Sequence, residues 1–165
     1  MGMILSLMRV PASRLNDYLE DSEQLEKDLY ADHSAESLIK VIDLDKSWDG
    51  IFYLLNGEGI AGAGEGVSRL LLSGQLVDPD QDLGYGPAHY LTPEEMAKHY
   101  KEIADWTDKE VAERFDSEDM QAKNLYPSSM WDEQDLEYVT SNFNQLQHFY
   151  QAAIAERQAV ITLIG

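Results

Sequence analysis

The chain has 165 residues and a mass of 18.7 kDa, and we predict a single domain over residues 1–165. It contains no cysteine, which excludes disulfide bonds, thiol nucleophiles and cysteine metal sites. The 31 acidic and 12 basic residues give a net charge of -19, which argues against a nucleic-acid partner because phosphate contacts need clustered lysine and arginine. The hydrophobic content of 44% predicts a folded core despite this charge.

The first part of the chain predicts a strand followed by helices. An apolar strand runs over Met3–Val10, and Ser13 is placed to cap a short helix after it. Asp21 would cap a second helix. Residues 37–44 are apolar enough to form either a helix face or a buried strand, and the sequence leaves both open.

A third helix is predicted to begin at Asp45, which would be its N-cap, and to end at Gly57. Its apolar residues recur three and four positions apart: Trp48, Ile51, Phe52 and Leu55. The following residues, 56–92, are rich in glycine and turn residues and end in a short strand at about residues 88–91. A long irregular segment within a compact domain is often functional or mobile.

The clearest local pattern is a capping box at Thr92 and Glu95, with a proline between them, which predicts a helix to about Asp105. Thr107 and Glu110 repeat the capping box and predict a helix to about Arg114, one or two helical turns are expected from Asp116, and another helix is expected from about Asp132. The last of these helices is the longest and extends to about Glu156. A closing strand follows at residues 159–164.

Together these elements predict an α+β fold that is mostly helical, with a small mixed sheet that includes both terminal strands. The terminal strands are the most apolar, and we expect them at the centre of the sheet, side by side. No apolar run is long enough to span a bilayer, and the N-terminus lacks the basic region of a signal peptide. We therefore expect a soluble cytoplasmic protein without a membrane partner.

Two motifs resemble the residue patterns of ligand-binding loops but lack other features that those loops require. Residues 57–62 read G-x-G-x-x-G, but a helix is predicted before them, whereas dinucleotide binding needs a strand there and a helix after it. Asp78, Asp80 and Asp82 alternate like the first ligands of a calcium loop, yet the glycine and glutamate that complete such a loop are missing at the required positions. We expect a flexible loop and a solvated acidic turn, with weak calcium binding at the turn as the alternative. We predict no catalytic residue, cofactor or metal site.

Carboxylates flank an aromatic residue at the start of the third helix. Asp45 and Asp49 lie on either side of Trp48, and carboxylates beside an aromatic ring are found in sugar and cation sites. The structural alternative is that Asp45 caps the helix and Asp49 is a carboxylate in its first turn, where the helix dipole favours an anion. We favour the structural interpretation. Trp48 should be mostly buried. A turn between two glycines presents Tyr85, and we predict a hydrogen bond from its hydroxyl or the loop backbone to Asp45 or Asp49. The candidate ligand or partner surface comprises six residues: Asp45, Trp48, Asp49, Tyr85, His89 and Tyr90.

The basic residues are distributed unevenly. Neither lysine nor arginine occurs between Arg69 and Lys98, or between Lys123 and Arg157, and acidic residues are present in both stretches. The simplest interpretation is that this charge keeps the protein soluble. The alternative is an acidic surface that attracts a basic partner by electrostatic steering.

Several short segments form an ordered set along the chain. They are residues 43–50 and 53–57, residues 84–88 and 90–95, the opening Met1-Gly2-Met3, Arg114-Phe115-Asp116, Tyr126-Pro127 with Trp131, and the end of the chain from Phe149 to Ile164. As a set they resemble the YfbM-like family of bacterial proteins of unknown function. The resemblance covers nearly the whole chain and implies a single α+β domain, but no activity, cofactor or catalytic residue. The glycine-rich segment 57–66 is less typical of the family.

Two functions are consistent with the sequence. The first is an acidic cytoplasmic protein-interaction module, like an immunity or antitoxin protein, whose partner is a basic protein. The alternative is a small-molecule binding protein or enzyme with a site between the helix at residues 45–55 and the loop at 84–91, because ligand pockets carry a few polar groups among aromatic side chains. A toxin gene beside the gene for this chain would favour the first.

Overall fold

The computed structural model describes residues 2–128 and 131–165, so Met1 of the opening segment lies outside the described residues. This part of the chain forms four strands: β1 (Leu5–Pro11), β2 (Lys40–Asp43), β3 (His89–Leu91) and β4 (Gln158–Ile164). Its α-helices are α1 (Ala12–Glu20), α2 (Ser22–Tyr30), α3 (Trp48–Asn56), α4 (Pro93–Tyr100), α5 (Asp108–Arg114), α6 (Ser117–Ala122) and α7 (Leu136–Ala155). Short 3-10 turns lie at Asp45–Ser47, Gly59–Gly62, Gly66–Leu70 and Glu133–Asp135.

The strands form one sheet with the order β2-β1-β4-β3. The α+β class is confirmed, with both terminal strands side by side at the centre, and the ambiguous residues 37–44 supply β2. The expected mixed sheet is instead antiparallel throughout. Arg14, near the start of α1, lies 2.7 Å from Asp28, near the end of α2. These two helices therefore run antiparallel and return the chain to the end of the sheet that it left, so β2 runs opposite to β1.

Apolar side chains cover both faces of the central strands. On β1, Leu5 and Leu7 face the core shared with α3 and α7, whereas Met8 and Val10 face a second core shared with α1 and α2. Every residue of β4 is buried, which explains why five of its seven residues are apolar and why they do not alternate with exposed polar ones. The sheet is thus a middle layer between the helix pair α1–α2 and the other helices.

The helix after β3 begins as predicted but ends early. Thr92 and Glu95 form the capping box, in which the Glu95 N–H donates to Thr92 Oγ1 at 3.3 Å. The helix ends at Tyr100 rather than near Asp105 because the next residues continue in tighter turns, with hydrogen bonds between residues three apart. Among the described residues, no helix combines the length and the apolar character that crossing a bilayer requires.

The predicted cap of α1 is wrong, whereas that of α2 is confirmed. Ser13 does not cap α1, because the helix already begins at Ala12, directly after Pro11. The φ of Pro11 is -55°, which the proline ring holds close to the helical value. Asp21 caps α2 by accepting a hydrogen bond from the Glu23 N–H at 3.1 Å.

Candidate functional site

Helix α3 is buried along almost its whole length and brings Trp48 into the core. Trp48 is 2% exposed, and its indole N–H donates to the Met3 carbonyl at 3.0 Å. Its ring stacks on that of Tyr126, with the ring centroids 5.1 Å apart. The helix ends at Gly57, whose φ of 77° suits glycine, as the sequence predicted. Trp48 is therefore a packed core residue, as its position on the apolar helix face predicts.

Asp49 is a buried acidic residue on α3. It is 3% exposed, and its Oδ1 accepts a hydrogen bond from the Ile60 N–H at 2.7 Å while Oδ2 accepts one from the Tyr126 N–H at 2.8 Å. The predicted hydrogen bond from the Tyr85 loop to Asp45 or Asp49 is wrong, because backbone groups from two other segments take both Asp49 oxygens. The carboxylate therefore joins α3 to the 59–62 turn and to the segment before Pro127.

Burial controls the electrostatics of Asp49. Desolvation raises the pKa of its carboxyl, and the two backbone N–H donors oppose that shift because they stabilise the charged form. No lysine, arginine or histidine of residues 2–128 and 131–165 forms an ion pair with it. The backbone also approaches closely, since a Cβ at Gly59 would lie 2.7 Å from Asp49 Oδ1. Protein backbone thus encloses this carboxylate.

A cleft of about 400 Å³ lies beside these groups, and Trp48, Asp49, Tyr85 and Tyr126 contribute to its lining. Tyr85 is 61% exposed, and its backbone N–H donates to the Ile164 carbonyl at the end of β4 at 3.1 Å, which holds the turn against the sheet. Three of the six candidate residues therefore meet at one cleft. Sequence reasoning did not place Tyr126 at the site. The sequence marks this residue only through the Tyr126-Pro127 segment that resembles YfbM-like proteins.

Asp45 lies in a different place. Its φ of 49° is outside the extended region of an N-cap, and α3 begins three residues later, so the predicted cap is wrong. Its carboxylate accepts a hydrogen bond from the Tyr138 hydroxyl at 2.6 Å. Burial and this bond raise the pKa of Tyr138. Both residues line a separate pocket of about 270 Å³ beside Trp131.

His89 and Tyr90 also lie away from the cleft, on β3. His89 accepts a hydrogen bond from the Gly74 N–H through Nδ1 at 3.0 Å, and burial lowers its pKa; both favour the neutral form of the ring. The Tyr90 carbonyl accepts a hydrogen bond from the Ser73 hydroxyl at 2.7 Å. Both residues hold the 73–75 turn against the sheet edge.

Residues 57–62 form a structural turn after a helix. The side-chain oxygen of Asn56 accepts from the N–H groups of Glu58 at 2.7 Å and Gly59 at 2.9 Å, and Asp49 accepts from the next N–H along. In a dinucleotide site these backbone donors would hold the phosphates. Here the protein's own side chains occupy them.

The acidic turn at residues 78–82 uses its carboxylates locally. Asp78 accepts hydrogen bonds from the Ser22 hydroxyl at 2.6 Å and from the Asp80 N–H at 3.0 Å. Asp82 accepts one from the Gly84 N–H at 3.0 Å. Across the described ranges, no group of three or more side chains is arranged to hold a metal ion.

An acidic groove of about 730 Å³ lies between α5 and the first half of α7. The carboxylates of Asp108, Glu133 and Glu137 line it, and no basic side chain among the described residues does. Asp108 accepts a hydrogen bond from the Asn144 amide at 3.1 Å. Glu133 and Glu137 have no side-chain ion pair within the described chain. Sequence reasoning found part of this groove through the base-free stretch after Lys123, but nothing in the sequence linked it to Asp108.

Comparisons with known proteins agree with the fold. The model of the family described as "Domain of unknown function (DUF1877)" matches residues 1–163. The crystal structure of a protein of unknown function, YfbM from Escherichia coli, is similar over 98% of this chain and 99% of that chain, with a TM-score of 0.74 and 18% sequence identity. No match was found among curated proteins. The resemblance to YfbM-like proteins is confirmed, and at this identity the structural similarity establishes the fold alone.

Proposed function

This chain belongs to the DUF1877 family of domains of unknown function, and we propose that it is an acidic interaction module that binds a basic partner protein. An immunity or antitoxin protein acts in this way when it covers a basic surface of the protein that it neutralises. The acidic groove carries the proposal, because carboxylates from two helices line one open volume without a neutralising basic side chain among the described residues.

A second acidic cleft, of about 490 Å³, makes a useful contrast. Its carboxylates are those of Glu20, Asp21, Glu23 and Asp78. There Asp21 caps α2 and Asp78 accepts from the Ser22 hydroxyl, so two of the charges already stabilise the fold. Glu133 and Glu137 of the acidic groove have no comparable side-chain partner in the described chain, so their charges are available to lysine or arginine of another protein.

The net charge of -19 attracts a basic partner over a longer range than the carboxylates of the acidic groove do. The field of an acidic protein raises the rate at which a basic partner arrives, and dissolved salt screens it beyond about 8–10 Å at ordinary ionic strength. The proposal therefore predicts that the association rate falls steeply with salt, while the dissociation rate changes less.

The test begins with affinity capture at low salt from cells that make the protein, followed by purification of the captured protein. Its association rate is then measured with the double variant Glu133→Gln/Glu137→Gln. The matched control is Glu94→Gln/Glu102→Gln, which makes the same charge change at two exposed positions elsewhere. We expect the groove variant to slow association several-fold at low salt and the control to change it little. Equal effects of the two variants, or no retained protein, contradict the proposal.

The cleft beside α3 supports a second candidate function, the binding of a small molecule. The supporting observation is that the exposed Tyr85 lies at a cleft with a buried aspartate and a tryptophan. A compound library screened by thermal shift would test it. Stabilisation by a true ligand should disappear in Tyr85→Ala and persist in Tyr30→Ala, which removes a tyrosine that is 73% exposed elsewhere. Hits that respond equally to both changes would count against this cleft.

A further inference from the structure

A second groove beside α7 has the opposite charge. Its volume is about 890 Å³, and it lies between β2, the segment that precedes β2, and residues 141–152 of α7. Its charged and titratable lining consists of Arg9, His33, Lys40 and His148 with one carboxylate, Asp32. The whole chain has 31 acidic and 12 basic residues, whereas in this basic groove the basic side chains outnumber the acidic one.

The register of the sheet holds two of these cations together. Arg9 on β1 and Lys40 on β2 are directly opposite partners, so their side chains project from the same face. That face is the one covered by α7, because Leu7, two residues before Arg9, packs into the core shared with that helix. Like charges at directly opposite positions destabilise a sheet, so an anion beside both cations would stabilise this pair.

The protein itself supplies little negative charge to the pair. The Arg9 guanidinium donates to Gln158 Oε1 at 2.5 Å and forms an ion pair with Glu156 at 3.3 Å, and the Glu156 side chain is 54% exposed, which weakens that pair. The Lys40 ammonium donates to the Ala35 carbonyl at 2.5 Å and has no carboxylate within ion-pair distance in the described ranges. Arg9 is also mostly enclosed, with a side chain 12% exposed, and an enclosed cation interacts more strongly with a bound anion.

We propose that the basic groove binds a small organic anion, a carboxylate or a phosphate ester with an apolar body. The anionic group would lie between the Arg9 guanidinium and the Lys40 ammonium, with His148 as a further donor. Ile42 and Phe149 also line the groove and supply apolar surface for the rest of the ligand. The volume is within the range of about 300–1,000 Å³ that is usual for ligand pockets. The proposal does not rest on the acidic groove, which borders the same helix and shares Ser141 and Asn144 with this one.

Two-dimensional NMR of the isotopically labelled full chain tests the proposal. The probes are hexanoate and hexyl phosphate, which separate the two anionic groups, and hexanol, which has the apolar body without the charge. We expect saturable shifts at residues 31–42 and 141–152 with at least one anion and none with hexanol. Shifts spread over the whole surface, equal shifts with hexanol, or no saturation at millimolar anion overturn the proposal.

A pair of lysine variants tests the role of the charge. Lys40→Gln should weaken binding of the anion by about tenfold, because a charge-assisted contact is lost. Lys109→Gln, at a side chain that is 84% exposed on α5, should leave the affinity unchanged. Without ligand, Lys40→Gln should unfold at the same temperature as the wild type or slightly higher, because it removes the repulsion with Arg9. Equal affinities of the two variants for the anion overturn the proposal.

Discussion

The cleft beside α3 and the two grooves beside α7 use their charged side chains in opposite ways. Both oxygens of Asp49 accept hydrogen bonds from backbone N–H groups, and the residue is 3% exposed. Glu137 and Lys40 face open grooves and have no oppositely charged partner in the described chain. A charge with internal partners stabilises the fold, whereas a charge without them is available to a ligand.

Helix α7 borders both grooves, since Ser141 and Asn144 line each of them. Its dipole favours acidic side chains at its start and basic ones at its end, but only within the first and last turns. Asp108, Arg9 and Lys40 come from other elements, so the dipole does not explain why opposite charges collect on the two sides. The opposite charges of the two grooves therefore come from side chains on several elements and not from α7 alone.

The largest expected change in stability distinguishes the buried side chains of the α3 cleft from its exposed ones. Trp48→Ala should lower the free energy of unfolding by about 3–5 kcal/mol, because it removes a packed ring. Tyr85→Ala, across the same cleft, should change it by less than about 0.5 kcal/mol because the side chain is exposed. Urea unfolding measures both. A nearly neutral Trp48→Ala would mean that this tryptophan faces a ligand instead.

A glycine pair tests how closely the backbone encloses Asp49. Gly59 and Gly64 both have positive φ, 80° and 84°, so alanine is strained at each by about 1–2 kcal/mol. Only at Gly59 would the new Cβ meet atoms, 2.5 Å from Leu125 Cδ2 and 2.7 Å from Asp49 Oδ1. Gly59→Ala should therefore cost about 1–3 kcal/mol more than Gly64→Ala in chemical denaturation. Equal costs would show that the turn can move away from the carboxylate.

Asp49→Asn should lower the free energy of unfolding by about 1–3 kcal/mol, because the amide N–H₂ would face a backbone N–H and leave it without an acceptor. Asp80→Asn, at an exposed turn position, is the matched control and should be close to neutral. If Asp49→Asn leaves stability unchanged but abolishes binding of a partner, Asp49 belongs to a functional site.

The pH dependence of the same variant has a definite sign. Because the folded-state pKa of Asp49 is raised, its contribution to stability is fully present below the ordinary carboxyl pKa and is lost as the pH rises through the raised value. The cost of Asp49→Asn should therefore be larger at acidic than at neutral pH. A cost that grows with rising pH would show that the two backbone donors outweigh burial.

The acidic groove should behave in the opposite way to Asp49. Glu133→Gln/Glu137→Gln should leave stability unchanged or raise it by about 0.2–0.5 kcal/mol, because two like charges four residues apart repel each other. Thermal unfolding at low salt measures this. A clear loss of stability would place these carboxylates with Asp49 as structural groups.

The smallest effect concerns the whole charge. Moderate sodium chloride should raise the melting temperature of the wild type, since screening reduces the self-repulsion that follows from a net charge of -19. A differential scanning experiment over a salt series checks the direction. A melting temperature that falls steadily from low to moderate salt contradicts it.

The sequence predicts features whose causes are local, and the capping box at Thr92 is the clearest case. The burial of Trp48 also follows from helix periodicity. Asp45 shows the limit, because its hydrogen-bond partner Tyr138 lies 93 residues away and no local pattern reports that contact. A side chain that can cap a helix therefore contacts a distant hydroxyl instead.

The candidate site was harder to predict for two physical reasons. The partners of Asp49 are backbone N–H groups, which nearly every residue carries, so no side-chain pattern marks Ile60 or Tyr126 as its neighbours. The pair of Arg9 and Lys40 depends on strand register, which places residues 31 positions apart directly opposite each other. Neither signal can be read from composition or spacing.

Glu133 and Glu137 have no ion-pair partner in the described chain, and with Asp108 they form the surface proposed to bind a basic protein. The most direct measurement is an NMR shift map of the labelled full chain during titration with a lysine-rich peptide at low salt. We predict shifts concentrated at Asp108 and residues 133–144, which disappear as salt is added. Shifts distributed in proportion to all exposed carboxylates, or concentrated at the cleft of Glu20, Glu23 and Asp78, would contradict the claim.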